Sequence, residues 1–457
     1  MRKLVVVVVL LLFAAGGVFL YAGRLPGPSI AITSPTAFVG SSTPLDIIVD
    51  APGSRVSSVD VMFEQGGTST PIVSSTAGQV DRHVSDDGPG RARVTHLVGR
   101  ENVPGLKSGP ARLVVTASRP VLFGLRQVVS STSQDVTVRL EPPTVAILST
   151  HHYINQGGAE MVVYRVSPAD VASGVRVGNY EYPGYPGTGV SAEGVSITDP
   201  SIRVAFFAVL HDQPEDVPIR LFARDEAGNS ATASFETRVF PKPFKESRIP
   251  LDDRLIDRVV PAILAGTTEV APAGTTIEKF LAINGELRRL NAAKIASFAA
   301  RTSPELLWRG VVFHPFTNTA VQSAFADRRT YVYQGKDVDQ QTHLGFDLAS
   351  FAQAPIPAAN AGAVLFTGEL GIYGNCVIID HGLGVQSLYA HLSSLGVQEG
   401  ATVEKGQEVG RSGTTGLAGG DHLHFTMLVH GRMVNPIEWW DPKWVEDRVL
   451  RKLRDAK

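Results

Sequence analysis

His422-Leu423-His424-Phe425 alternates polar and apolar side chains with a period of two, the pattern of a strand that buries one face. On such a strand the two imidazoles share a face, roughly 7 Å apart, while Leu423 and Phe425 point into a core. Two histidines lining a cleft from one strand can divide the work, one holding a metal and its neighbour reaching the water beside it. The turns ahead of the strand, Gly413-Thr414-Thr415-Gly416 and Gly419-Gly420-Asp421, are expected to let a substrate backbone approach closely. Further upstream, Ser387-Leu388-Tyr389-Ala390 leads into His391 at the end of an apolar strand. Earlier still stands His343-Leu344-Gly345-Phe346-Asp347. Fully extended, its His and Asp would be about 13 Å apart, too far for one ion. The chain is therefore expected to bend there, with Gly345 supplying an unusual backbone angle.

Seven of the twelve histidines follow residue 310. Neutral imidazole nitrogen and carboxylate oxygen suit a borderline-soft cation such as zinc. Three protein ligands leave one coordination position open, as in catalytic rather than structural sites. There is no His-Glu-x-x-His motif to supply a glutamate base, so imidazole is the expected proton carrier. His381, in Asp380-His381-Gly382, reads as a structural or supporting residue, and His314 and His430 as bystanders. The single cysteine, Cys376, rules out an intramolecular disulfide; within Cys376-Val377-Ile378-Ile379 it reads as a small buried hydrophobe.

Taken singly these fragments are ordinary; their order is not. His343–Asp347, Tyr373-Gly374-Asn375, Tyr389-Ala390-His391-Leu392, the run from Gly400 to Gln407, Gly413–Gly416, His422–Phe425 and Asn435-Pro436 together resemble the lysostaphin/LytM-type zinc metallopeptidases, the M23 family of peptidoglycan endopeptidases, from about Gly310 to Asp441. The resemblance implies a β-rich catalytic domain with a groove across its sheet. It implies one zinc ion per chain held by His343, Asp347 and His424, with His391 and His422 as the catalytic pair. It also implies cross-linked peptides of peptidoglycan as substrate. Gly419-Gly420-Asp421 departs from the Ser-Thr-Gly-type turn of many relatives, which bears on the groove rather than the chemistry. A non-catalytic wall-binding regulator or scaffold is the alternative; relatives of that kind have typically lost a site residue, and all five are present here. An adhesive or partner-binding protein, and a peptidase acting on another exported protein, are more remote readings.

The rest of the chain points to a mostly β, multidomain protein. Arg2 and Lys3 precede an uncharged run from Leu4 to about Gly23, long enough for a membrane-spanning helix. Leu20-Tyr21-Ala22 only partly matches a cleavage site. Residues 1–24 are thus a transmembrane anchor or a cleaved signal, the basic end staying in the cytoplasm and everything after it exported. Short strands separated by Gly- and Pro-rich turns suggest a β-sandwich-like module over 27–141. A second module over 142–241 contains the turn Asp225-Glu226-Ala227-Gly228-Asn229, which resembles the closing hairpin of bacterial immunoglobulin-like modules. Residues 242–305 read as a helical linker, with a capping box at Thr275–Glu278, either packing between domains or covering the site. The peptidase domain is expected over 306–442 and a C-terminal helix with a solvated basic face over 443–457. A net charge of −2 with mixed signs gives no electrostatic case for nucleic acid. Expected partners are peptidoglycan peptides, the membrane through the first helix, and a protein through the β modules.

Overall fold

A computed structural model describes residues 2–76, 82–309, 311–314 and 316–456. Gly310, where the family resemblance begins, and residues 77–81 of the first expected module lie outside them. The fold is mostly β and divides into two compact units, residues 1–143 with 224–231, and residues 144–223 with 232–457.

The first unit begins with the helix Arg2–Ala22, uncharged from Leu4 onward and exposed up to Ala22. Its β part is a sandwich. Strands Thr43–Asp50 and Arg91–Val98 pair in one sheet, and Ser58–Gln65, Gly109–Val121 and Arg126–Val138 in the other. Alternate residues meet between the sheets: Leu45, Ile47, Val49 and Val94 from one, Val61, Phe63, Leu113 and Val115 from the other. This period-two burial follows from the alternation legible in the sequence. The Asp225–Asn229 turn, read from the sequence as part of the second module, groups with this first unit. Asn229 donates from its backbone and side-chain nitrogens to the two Asp225 carboxylate oxygens at 2.8 and 2.9 Å, and Gly228 takes a φ of +90°.

The second unit is built on an antiparallel sheet of eight strands. Phe346–Ala349, Leu423–Val429, Val385–Leu392 and Asn375–Gly382 are adjacent at its centre. One face presents Leu423, Phe425, Met427, Tyr389 and Val377 to a core that includes Trp308, Phe313 and Trp439 and also Met161, Tyr164, Val204 and Phe206 from strands Ala159–Ser167 and Ile202–Ala208. The strands after residue 144 therefore share a core with the sheet. Phe206 packs on Trp439 with ring centroids 5.8 Å apart, and Asn435 donates to the Gly157 carbonyl at 2.8 Å.

Helices cover the other face. Asp253–Gly266 starts at an Asp252 cap, and Thr276–Ala282 at the expected capping box, in which Thr275 and Glu278 bond reciprocally. The chain then makes a π turn, Ile283–Leu287, before Arg288–Ser297. Ile256, Val260, Phe280, Leu287 and Ile295 pack on Cys376, Ile378, Leu388 and Leu428. Cys376 is fully buried, and burial pushes its thiol up, as a small hydrophobe requires. The basic face of the C-terminal helix departs from expectation. Lys452 is not solvated but buried, donating to Glu160 Oε1 at 2.8 Å and to the Met161 carbonyl at 2.9 Å. Glu160 has no exposed surface, and a buried carboxylate requires a cation.

Candidate metal centre

The five candidate residues converge at one end of the helix-covered face. In register, Asp347 stands opposite His424, and His424 opposite Ala390, on three adjacent strands. His343 closes the strand Lys336–His343, and the chain bends through Leu344 and Gly345 before Phe346–Ala349. Gly345 does not take a positive φ. It is needed for space: a Cβ there would lie 2.5 Å from His424 Cε1 and Nε2. The imidazole packs flat over the bend because nothing projects from it.

Three donor atoms form a tight triangle. His343 Nε2 lies 2.9 Å from Asp347 Oδ1 and 3.0 Å from His424 Nδ1, and His424 Nδ1 lies 3.0 Å from the same Asp347 oxygen. All three residues are buried. His343 Nδ1 faces the Ala324 carbonyl at 3.2 Å. A carbonyl only accepts, so the proton sits on Nδ1 and Nε2 offers its lone pair to the triangle. Burial pulls the His424 imidazole down to about 4, despite its contact with Asp347, and so keeps it neutral. Burial opposes ionisation of Asp347, yet the surrounding His343, His422 and His424 hold its carboxyl well below the usual range. One carboxylate oxygen and two imidazole nitrogens, all aimed at one point, form a donor set for a single cation. Two nitrogens and one oxygen suit zinc.

His391 and His422 flank the triangle. Their ring centroids are 4.9 Å apart, and His391 lies 5.8 Å from His424. Each gives its Nδ1 proton to a carbonyl, His391 to Thr415 and His422 to Gly420, both at 2.8 Å. In each ring Nε2 is left as the working nitrogen, and His422 Nε2 approaches Asp347 Oδ1 at 3.5 Å. Burial, then repulsion from His422 and His424, pushes His391 well below the ordinary histidine range. Burial lowers His422 too, but the Asp347 carboxylate outweighs it and the net shift is upward. Two imidazoles whose titrations are driven apart can serve as an acid and a base. His391 also has a φ of +62°, a costly angle for a residue with a Cβ, of the kind found at functional sites.

The glycine turns differ in what they do. Gly413–Gly416 seats His391 through the Thr415 carbonyl. Thr415 Oγ1 donates to the Leu392 carbonyl at 2.9 Å and accepts from the Asn375 N–H at 3.0 Å, while Gly416 lies against Gly374. Gly419 and Gly420 have open space where a Cβ would stand, as the expected approach of a substrate backbone requires. The cleft over the five residues has a volume of about 390 Å³ and is walled by Gly285, Arg288 and Ala292 of the helical segment. That segment thus packs on the sheet and borders the site at once. His381 is a structural residue, with Nδ1 donating to the Ala361 carbonyl at 2.7 Å and Nε2 2.8 Å from Ser387 Oγ. His430 stacks on Tyr185 away from the cluster, and the His314 backbone bonds Ala359.

Sequence reading missed two arginines. Arg329 Nη2 lies 3.2 Å from Asp347 Oδ2 and 2.7 Å from Ser323 Oγ, holding the carboxylate oxygen that faces away from the triangle. Arg258 Nη2 reaches from the first helix of the linker to the Ala418 and Gly419 carbonyls at 2.9 and 3.2 Å. It thereby steadies the loop whose next carbonyl orients His422. The one signal available for Arg329 was chemical: a buried carboxylate serving as a ligand needs support on its second oxygen.

The arrangement is a His/Asp/His set that could hold one metal ion, with two further imidazoles beside it. Residues 341–436 match the model for Peptidase family M23. The chain is 36% identical over 128 residues to the DD-carboxypeptidase/endopeptidase Mpg of Neisseria meningitidis serogroup B, covering 28% of this chain and 29% of that protein. It is 38% identical over 96 residues to the peptidoglycan DD-endopeptidase ShyA of Vibrio cholerae serotype O1, covering 21% and 22%. It is 36% identical over 94 residues to the lipoprotein NlpD of Yersinia enterocolitica, covering 20% of this chain and 96% of that sequence. The chain belongs to peptidase family M23. It spans less than a third of the length of the first two relatives.

Proposed function

We propose that this protein is a zinc-dependent endopeptidase that hydrolyses peptide cross-links of peptidoglycan outside the cytoplasmic membrane. The observation that carries the reading is the mutual approach of His343 Nε2, Asp347 Oδ1 and His424 Nδ1 to within 2.9–3.0 Å, beside two more imidazoles held at Nδ1 by backbone carbonyls. Membership of the M23 family and the names of the endopeptidase relatives support the substrate class.

His343, Asp347 and His424 would hold one zinc ion. When bound, zinc supplies Lewis acidity to the scissile carbonyl and to the attacking water. The remaining work belongs to the chain. The carbonyls of Thr415 and Gly420 fix the tautomers of His391 and His422 so that both Nε2 atoms face the cleft. His422 or His391 accepts the proton of the attacking water at Nε2, and the pair returns a proton to the leaving amine. General acid–base help of this kind contributes about 10²–10⁴-fold. Gly419 and Gly420 leave room for an extended substrate backbone.

The domain reading stands within the same proposal: β modules over 27–141 and 142–241 as supports or partner surfaces, a helical linker over 242–305, and the peptidase over 306–442. The helix Arg2–Ala22, long and apolar enough to cross a bilayer, anchors the protein in the cytoplasmic membrane with the remainder outside. The direct test is digestion of purified peptidoglycan with and without chelator, followed by mass analysis of the fragments. Chelator-sensitive release of peptide-cleaved muropeptides is expected. Intact cross-links after incubation with the zinc-loaded protein would defeat the reading.

A further inference from the structure

The longest hairpin of the first unit ends in an uncovered apolar tip. Its arms, Gly109–Val121 and Arg126–Val138, are paired along their whole length. The neighbouring strand Ser58–Gln65 follows the first arm only as far as Ser118, so the last residues of each arm run on as a free finger. At its end Leu122 and Phe123 take φ values of +51° and +56°. This tight turn leaves Phe123 at 108% and Leu125 at 79% exposure, with Val129 at 59% on the adjoining arm. Soluble surfaces seldom present large side chains so fully at one point.

The finger lies beside the end of the N-terminal helix. Ala22 packs with Val121, Val128, Leu25 and Leu122 in a small apolar cluster of its own. Arg126 donates to the Phe19 carbonyl at 2.5 Å, and its guanidinium covers the Phe19 ring at 4.7 Å. Arg119 donates twice to the Pro26 carbonyl, at 2.9 and 2.7 Å. Phe19 is the fourth residue from the end of the helix, so the tip stands level with its last turns. Charge agrees with this placement. The two charged side chains that flank the tip, Arg119 and Arg126, are both basic, and no acidic residue stands between Glu101 and Asp135. Aromatic and aliphatic side chains backed by arginines are what the headgroup boundary of an anionic bilayer accepts.

We propose that the 122–125 tip is a second membrane contact, with Phe123 and Leu125 dipping into the outer leaflet of the bilayer that the first helix crosses. The proposal rests on the anchor reading of that helix and is independent of the peptidase reading. Two attachments at one place would fix the tilt of the first sandwich on the membrane, which a single helix leaves free.

The test uses full-length protein in phosphatidylethanolamine/phosphatidylglycerol liposomes. An environment-sensitive fluorophore is attached at Phe123→Cys, at Thr68→Cys on the turn at the opposite end of the same sheet, or at Leu12→Cys within the helix. Cys376 is buried and serves as the unreactive background. Spin-labelled lipid carrying its label high on the acyl chain is expected to quench position 123 several-fold more than position 68. Aqueous iodide should do the reverse. Iodide quenching at 123 equal to that at 68 overturns the proposal. So does shielding from both quenchers, which would mean a protein covers the tip. Position 12 shows which reading failed. Lipid quenching at 12 without quenching at 123 leaves the anchor and removes the tip, while none at either removes both.

Discussion

His424→Ala takes away a donor atom at the centre of the triangle, so zinc binding and turnover should be lost together. His391→Ala leaves all three donors in place. It should keep about one zinc per chain while losing on the order of 10²–10⁴-fold in rate. Metal content by mass spectrometry beside peptidoglycan release separates the two cases, and full activity in either purified variant refutes the assignment. Arg329 touches no donor atom yet grips the second oxygen of Asp347. Its replacement by Met should weaken zinc binding about 10–100-fold with the fold intact, measured by competition with a chromogenic chelator; unchanged affinity would relieve it of that role. The five residues could be singled out in the sequence because the order of their fragments resembles one family's; His422 and His424 two apart, or His343 and Asp347 on either side of a glycine, are ordinary taken singly. Arg329 could not, because it reaches Asp347 from another strand, 18 residues upstream, and no period links them. Gly345 was legible as the place of a bend but not as space for a ring, since space beside a ring in another strand leaves no mark in the local sequence.

Among the elements, the C-terminal helix shows where pattern fails. Arg448, Arg451, Lys452 and Arg454 look like one solvated basic face, but Lys452 reaches inward to a glutamate almost 300 positions away, and that partnership is invisible to periodicity. Removing one member of a buried pair strands the other. Lys452→Met should therefore cost about 3–5 kcal/mol of stability, read by chemical denaturation; a change within error would show that water reaches Glu160. The neighbouring Glu438 makes a pH prediction. Burial raises its carboxyl from 4.5 to about 7, against the Ala159 N–H and Asn155 amide that favour its charged form. The folded state therefore holds a proton that the unfolded chain releases between those values. Its contribution is complete below pH 4.5 and is lost as pH rises to about 7, a difference of about 3 kcal/mol. Glu438→Gln, neutral throughout, should flatten that part of the stability–pH curve. A curve of the same slope in the variant would assign the effect to another group. The helical linker was legible almost to the residue at Thr275–Glu278 because a capping box is local. Its π turn at Ile283–Leu287, which sets Gly285 against the cleft, is imposed by packing and was not.

For the whole molecule, the sequence conveyed strand content more readily than the sharing of cores. Breaks such as Pro142-Pro143 and Pro241-Lys242-Pro243 mark ends of elements, but only contacts show that Phe206 and Tyr164 lie in one core with Trp439 and Phe425. A fragment of residues 306–457 would expose that face and also the one covered by Ile256, Phe280 and Leu287. It is expected to be insoluble or to melt without cooperativity, whereas residues 144–457 should give a cooperative thermal transition and retain peptidoglycan release. A stable, active 306–457 fragment would contradict the shared core. This continuity also bears on genetics. In a random screen for inactive alleles, lesions at Met161, Tyr164 or Phe206 should turn up alongside those at the imidazoles, although none of these three belongs to the metal-centre residues. Distance along the chain from the histidines would then be a poor guide to phenotype.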